Sequence, residues 1–158
     1  MKRFIGIILI IGMLAAFPAW AASPAACTQT LTAYGPNMKE LVFTCTATGT
    51  AFAATATSTE NTAAIKGWYL TEVRTSPVIG TAPTAGTTVT LMSSDTPSVD
   101  LLGGVATCSD TVTTRFVPKL NATASIYGGA SIRGAVTHTI GTSAAGGVII
   151  TKYILWNN

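Results

Sequence analysis

The sequence predicts an all-β protein, a single antiparallel β-sandwich or jelly-roll-like domain of about eight strands behind a cleavable signal peptide. Charged residues make up 9% of the 158-residue chain, far below the typical quarter or so, and water-exposed helices normally carry such residues. Threonine is abundant, and β-branched residues favour strands. Short segments of alternating polarity recur between turns that contain Gly or Pro, without a segment of helical period.

The amino terminus has the layout of a bacterial secretory signal peptide. A basic start is followed by an apolar run at residues 4–17 and by a small-x-small cleavage pattern at residues 19–21. The run is shorter than the roughly 20 apolar residues that a transmembrane helix needs. We therefore expect a signal peptide at residues 1–21 and one domain at residues 22–158. An uncleaved leader would instead anchor the chain in a membrane.

The charge of the mature chain is close to neutral. The whole chain has nine Lys and Arg against six Asp and Glu, a net charge of +3. Because Lys2 and Arg3 leave with the signal peptide, seven basic and six acidic residues remain, which gives +1. The remaining basic residues are scattered singly, without the basic stripe that nucleic-acid binding requires. Nucleic acid is therefore not an expected partner.

Alternating polarity predicts strands, in chain order, at residues 28–34, 39–48, 66–75, 87–92, 99–102, 111–117, 130–140 and 148–156. The turn residues Gly35-Pro36-Asn37 separate the first two. In the second, Leu41, Phe43 and Cys45 lie on one face and Val42, Thr44 and Thr46 on the other. Residues 50–64, mostly alanine and threonine, predict a weak strand or a loop.

The alternation is strongest in the third predicted strand, where Tyr69, Thr71 and Val73 alternate with their neighbours. A turn-rich connection at residues 77–86 leads to the fourth strand, and two glycines after residue 102 close the fifth. The sixth and seventh strands show the same period of two.

The last predicted strand, at residues 148–156, is apolar on both faces. Such strands lie inside a sheet, so we expect it away from the edges. No internal repeat or linker divides the chain, which predicts one domain.

The chain has an odd number of cysteines, Cys27, Cys45 and Cys108, for a compartment that permits disulfides. Cys27 and Cys45 flank a hairpin-like turn, so one interpretation is a disulfide between the first two strands. Cys108 would then be free, buried or paired with another chain. If Cys27 were lipidated instead, Cys45 and Cys108 would form the pair. With no C-x-x-C spacing and a single histidine, neither a metal site nor a cofactor is expected.

Catalysis is not expected either. His138, the single histidine, has no carboxylate nearby in sequence and is predicted to be an ordinary strand residue. Asp95, Asp100 and Asp110 lie in turn-rich segments whose spacing matches no calcium loop, so they are predicted to cap turns.

Four aromatic residues, Trp68, Tyr69, Tyr127 and Trp156, could line a ligand face. Aromatic residues on the strands of a sandwich belong more often to the core, and we predict that location for these.

A series of short motifs runs through the chain: KELVFT at residues 39–44, GWYLTEVRT at 67–75, GTAPT at 80–84, VTL at 89–91, the acidic turn at Asp95, VDLLGG at 99–104 and DT at 110–111. In its order and spacing, over about residues 30–155, this series resembles small β-rich structural or accessory proteins in the virions of tailed bacteriophages. The resemblance implies a protein without enzymatic activity and supplies no catalytic or binding residues.

Two classes of function follow. The first is a non-catalytic, exported structural or assembly domain, which self-associates or joins a protein assembly; the low charge, Cys108 and the phage resemblance favour it. The alternative is a periplasmic or secreted binding module, adhesin-like, that recognises a sugar or a protein. The expected location is the periplasm or the medium, with the virion surface as the alternative.

Overall fold

The computed structural model describes residues 27–47, 52–82, 84–104, 106–121, 126–141 and 146–157. The expected signal peptide at residues 1–21 lies outside these ranges. Within them the chain is mostly β, its strands pair antiparallel, and one short helix is present. The predicted antiparallel β architecture is confirmed, and the helix is a departure from it.

The elements of the described ranges are, in chain order, β1 (Thr28–Ala33), β2 (Met38–Ala47), β3 (Thr55–Ala56), α1 (Thr59–Ile65), β4 (Tyr69–Pro77), β5 (Val89–Ser93), β6 (Thr114–Phe116), β7 (Lys119–Asn121), β8 (Ile126–Tyr127), β9 (Ala130–Ser131), β10 (Val136–Ile140) and β11 (Gly147–Trp156). The large sheet has the order β1-β2-β11-β4-β6, with β9 also paired to β4. A small sheet has the order β3-β10-β5, and β7 and β8 form a hairpin.

The last strand is the centre of the large sheet. It pairs with β2 along its whole length, from Gly147 opposite Ala47 to Trp156 opposite Met38, and with β4 on its other side. Its inward side chains are buried and its outward ones are half-buried, apart from the exposed Trp156. The prediction of a strand inside the sheet is confirmed.

The buried faces of the two sheets meet in one core. The rings of Phe43 on β2 and Tyr153 on β11 lie 4.7 and 5.8 Å from the ring of His138 on β10. The two faces that the sequence predicts for β2 are confirmed, and the face with Leu41, Phe43 and Cys45 is the buried one. Within the described residues, no helix has the length and hydropathy to span a membrane.

Strand β4 does not keep the strict alternation predicted for residues 66–75. It begins at Tyr69, and its register to β11 shifts, because Glu72 lies opposite Ile154 while Leu70 lies opposite Leu155. The residue between, Thr71, is therefore a β-bulge. The bulge places both Leu70 and Val73 in the core and turns Glu72 to the outer face.

The segment predicted as a weak strand or a loop contains α1. The hydroxyl of Ser58 accepts a hydrogen bond from the backbone N–H of Asn61 at 3.2 Å, which caps the amino end of the helix. Ile65, at the other end, is fully buried. Seven residues are too few for a helical period to appear in an alanine- and threonine-rich stretch.

Three further strand predictions need correction. Residues 99–102 form a turn, with a single bridge from Asp100 to Met92 among the described residues, because the Asp100 carboxylate holds the turn. The predicted strand at residues 130–140 is split into β9 and β10, and that at 111–117 shortens to β6. The hairpin of β7 and β8 was not predicted, since its strands are too short to show alternation.

Candidate functional site

The candidate site lies on the outer face of the large sheet, where β4, β9 and β11 end. Tyr69 and Trp156 lie directly opposite each other in the β4–β11 pair and are 44% and 43% exposed. Together with Thr71 and Gly129 they line a depression of about 250 Å³. The β-bulge at Thr71 adds one residue to β4 at this point. Gly129 has no side chain to fill the depression, where a Cβ would contact Tyr69.

A second depression, of about 500 Å³, lies beside β6. It is lined by Arg115, Phe116, Val117 and Tyr127, so its wall is formed by the edge strand and the β7–β8 hairpin. Val117 and Tyr127 are about half exposed. Both depressions thus combine aromatic and apolar side chains with a polar rim, which is the composition of binding surfaces.

An ion cluster adjoins the second depression through Arg115. The carboxylate of Glu72 accepts hydrogen bonds from Nε of Arg74 and from Nη2 of Arg115, and these two arginines are opposite residues in the β4–β6 pair. Burial by itself would raise the pKa of Glu72, but the hydrogen bonds and charges of Arg74 and Arg115 outweigh it, so the pKa is lowered. Glu72 is therefore ionised at neutral pH.

The cluster continues across the sheet. Lys152 lies opposite Arg74 in the β4–β11 pair and forms a 3.4 Å ion pair with Glu40 on β2. Three cations and two carboxylates thus share the outer face, which leaves one net positive charge there.

Of the four aromatic residues that the sequence assigns to the core, one is buried and three are exposed. Trp68 is buried, with Nζ of Lys39 4.2 Å above its ring. Tyr69, Tyr127 and Trp156 are exposed, so the core prediction is wrong for these three. The signal for Trp156 is present in the sequence: it has the parity of the outward-facing residues of β11. Tyr69 could not be assigned in this way, because the bulge changes the parity within β4.

His138 is a core residue with no exposed surface. Its Nδ1 lies 2.7 Å from the hydroxyl of Tyr153, and its Nε2 has no hydrogen-bond partner within the described ranges. Burial lowers the pKa of His138 to about 3, so its ring is neutral at neutral pH. The prediction of an ordinary strand residue places it on a strand correctly but gives no indication of these contacts.

Cys27 and Cys45 form a disulfide that ties the start of β1 to β2. Such a bond fits an oxidising compartment. Cys108 is free and buried, and its thiol lies 3.2 Å from the carbonyl oxygen of Thr87. Burial raises the pKa of Cys108, so the thiol is protonated at neutral pH.

The three aspartates do not come together as a metal site. Asp100 accepts hydrogen bonds from the backbone N–H groups of Leu91, Leu102 and Gly104, so the predicted role in capping a turn is confirmed for it. Asp95 and Asp110 are exposed. Among the described residues, the metal-ligating side chains that do lie together are Cys27, Cys45 and His138.

Comparison with known proteins assigns no family. No protein-family model matches the chain, and no curated protein matches it. Among solved structures, the chain is similar to a cupin domain from Bordetella pertussis Tohama I, with 13% identity over 84% of this chain and 96% of that chain and a TM-score of 0.31. A similarity at that TM-score carries no argument about fold or function.

Proposed function

We propose that the protein is an exported, non-catalytic β-sandwich domain, jelly-roll-like in form, that self-associates in a protein assembly. The observation that supports this most strongly is an apolar surface beside the edge strand β6. It is formed by Phe116, Val117 and Tyr127, which line one depression, and Val117 and Tyr127 are 45% and 56% exposed. We call it the β6 surface.

The β6 surface has the features of an association site. Monomeric proteins rarely leave a contiguous apolar patch uncovered, and an edge strand offers unpaired backbone groups to another chain. The second edge, β1, is mainly polar, with threonine at every other position. A low total charge also opposes association only weakly.

The absence of catalysis is part of the proposal, and the position of His138 supports it. Its ring is fully buried and pairs with a tyrosine hydroxyl. A substrate would reach it only if the two sheets separated. An assembly role also agrees with the resemblance of the sequence to virion accessory proteins, for which the virion surface would be the location.

The test introduces charge into the β6 surface. In a symmetric dimer, the lysines of a Val117→Lys/Tyr127→Lys variant would face each other across the interface, so we expect association at least about tenfold weaker than in the parent. Sedimentation velocity over a range of concentrations measures this. The control is Ile79→Lys, at a side chain that is 84% exposed and outside the β6 surface. A parent that stays monomeric at every concentration would contradict the proposal.

Export is tested by measuring the intact mass of the native protein from three separate fractions: periplasm, medium and phage particles. A mass for residues 22–158 less two hydrogens, in periplasm or medium, would support export with one disulfide and contradict a virion location. A full-length mass that sediments with phage-sized particles would contradict cleavage.

A second candidate is a binding module for sugars, favoured by the Tyr69–Trp156 pair. Two neighbouring, half-exposed aromatic rings above a 250 Å³ depression offer flat apolar faces to a sugar ring. Isothermal titration with neutral oligosaccharides tests it: Trp156→Ala should abolish binding, whereas Ile79→Ala, a change at an exposed side chain beyond the opposite end of β4, should not. Equal binding by both variants would exclude this site.

A further inference from the structure

We propose that Cys27, Cys45 and His138 form a zinc site when the Cys27–Cys45 disulfide is reduced. One ligand atom from each of the three residues lies within 4.8 Å of the others, and all three residues are buried. The topology makes this cluster: Cys27 comes directly before β1, Cys45 lies beside it on β2, and His138 reaches it from the small sheet. The inference is independent of the proposed assembly function.

A second observation points to a ligand here. His138 Nε2 is fully buried and has no hydrogen-bond partner within the described part of the chain. A buried polar nitrogen without a partner is costly, and native proteins rarely keep one without a reason. A metal ion that accepts the Nε2 lone pair would satisfy it.

The surroundings of the ring suit this role. The Tyr153 hydroxyl oxygen, 2.7 Å from Nδ1, can accept a hydrogen bond from Nδ1–H, and in that tautomer Nε2 carries the free lone pair. Histidines that bind metals usually donate their other N–H in this way, which fixes the ring and its tautomer. Phe43, whose ring centroid is 4.7 Å away, restricts the ring further.

A dithiol reductant donates two electrons and two protons to the disulfide, so the S–S bond breaks, two thiols form, and the reductant leaves as its own disulfide. Zn²⁺ then displaces both thiol protons to solvent and forms two zinc–thiolate bonds. The two thiolates cancel the charge of the ion and the imidazole is neutral, so the buried site carries no net charge.

The geometry is close to what zinc needs. With zinc–sulfur and zinc–nitrogen bonds of about 2.3 and 2.0 Å, neighbouring ligand atoms of a tetrahedral site lie roughly 3.5 Å apart. Small shifts of the freed cysteines reach this spacing from within 4.8 Å. Water would complete the tetrahedron as the fourth ligand.

The test titrates Co²⁺ and Zn²⁺ into the purified protein before and after reduction by a phosphine, which water converts to its oxide as the thiols form. We expect one ion per reduced chain, with the thiolate charge-transfer and tetrahedral d–d absorption of cobalt, and no binding to the oxidised protein. Cys108→Ser is the matched control and should bind as the parent does. Circular dichroism verifies that each protein remains folded.

The variants identify the ligands. Cys27→Ser/Cys45→Ser should lose the site, and His138→Gln should bind at least about tenfold more weakly; if that variant does not fold, Tyr153→Phe should weaken binding about 10- to 100-fold through the ring orientation. Zinc should also slow alkylation of Cys27 and Cys45 but not of Cys108. The proposal is overturned if the reduced parent binds no metal, or if the double cysteine variant binds as well as the parent.

Discussion

The hydroxyl of Tyr153 and Nδ1 of His138 lie 2.7 Å apart, with both side chains fully buried. The pair joins the central strand of the large sheet to the middle strand of the small one. It is a polar contact inside a core that is otherwise mainly apolar. Since burial raises the pKa of Tyr153 and lowers that of His138, both partners stay uncharged at neutral pH.

Tyr153→Phe should destabilise the protein by about 1–3 kcal/mol, because it leaves the buried His138 ring without its hydrogen bond while hardly changing the packing volume. Urea denaturation followed by circular dichroism measures the free energy of unfolding. Tyr34→Phe, at an exposed tyrosine outside the β6 surface, is the control and should change it by less than about 0.5 kcal/mol. Equal effects of the two variants would show that the buried bond contributes nothing.

Asp100→Ala should lower the free energy of unfolding by about 2 kcal/mol, because three backbone N–H groups lose a charged acceptor. The same denaturation assay applies. Asp95→Ala removes an equal charge from an exposed residue in the preceding turn, so a loss of similar size there would mean that net charge, not capping, is responsible.

Gly103→Ala and Gly104→Ala form a matched pair, since both glycines have positive φ, +65° and +73°. A side chain costs about 1–2 kcal/mol in that conformation at either position. Only at Gly103 would the new Cβ also collide with the backbone carbonyl of Lys119. We therefore expect a clearly larger fall in Tm for Gly103→Ala, and equal shifts would contradict the close approach of these two segments.

Acid should destabilise the protein partly through Glu72. The pKa of Glu72 is lower in the folded state, so the unfolded state binds its proton first as the pH falls. The stabilisation that Glu72 gains from its two arginine partners is complete at pH values above the pKa of a glutamate in the unfolded chain. It is lost as the pH falls through the lower pKa that Glu72 has in the folded state. Free energies of unfolding at successive pH values should show a shallower acid slope for Glu72→Gln. The exposed Glu60→Gln, which also removes one carboxylate, is the control variant.

Local pattern and tertiary structure contribute differently to the candidate site. The sequence supplies the aromatic residues and the parity of Trp156, but the depression beside it also needs the bulge at Thr71 and the neighbouring Gly129. A bulge depends on how a strand meets its partner, so alternation along one strand cannot reveal it.

Alternation along the chain was enough to show that the protein is mostly β, that β2 has two distinct faces and that the last strand lies inside a sheet. These properties follow from the pleat, which sends successive side chains to opposite faces and so records burial in each strand's own residues. Which strands are neighbours depends on the folded arrangement of the whole chain. Strands far apart in sequence bring His138 to Tyr153 and to Cys27 and Cys45, and the pattern of one strand carries no record of its partner.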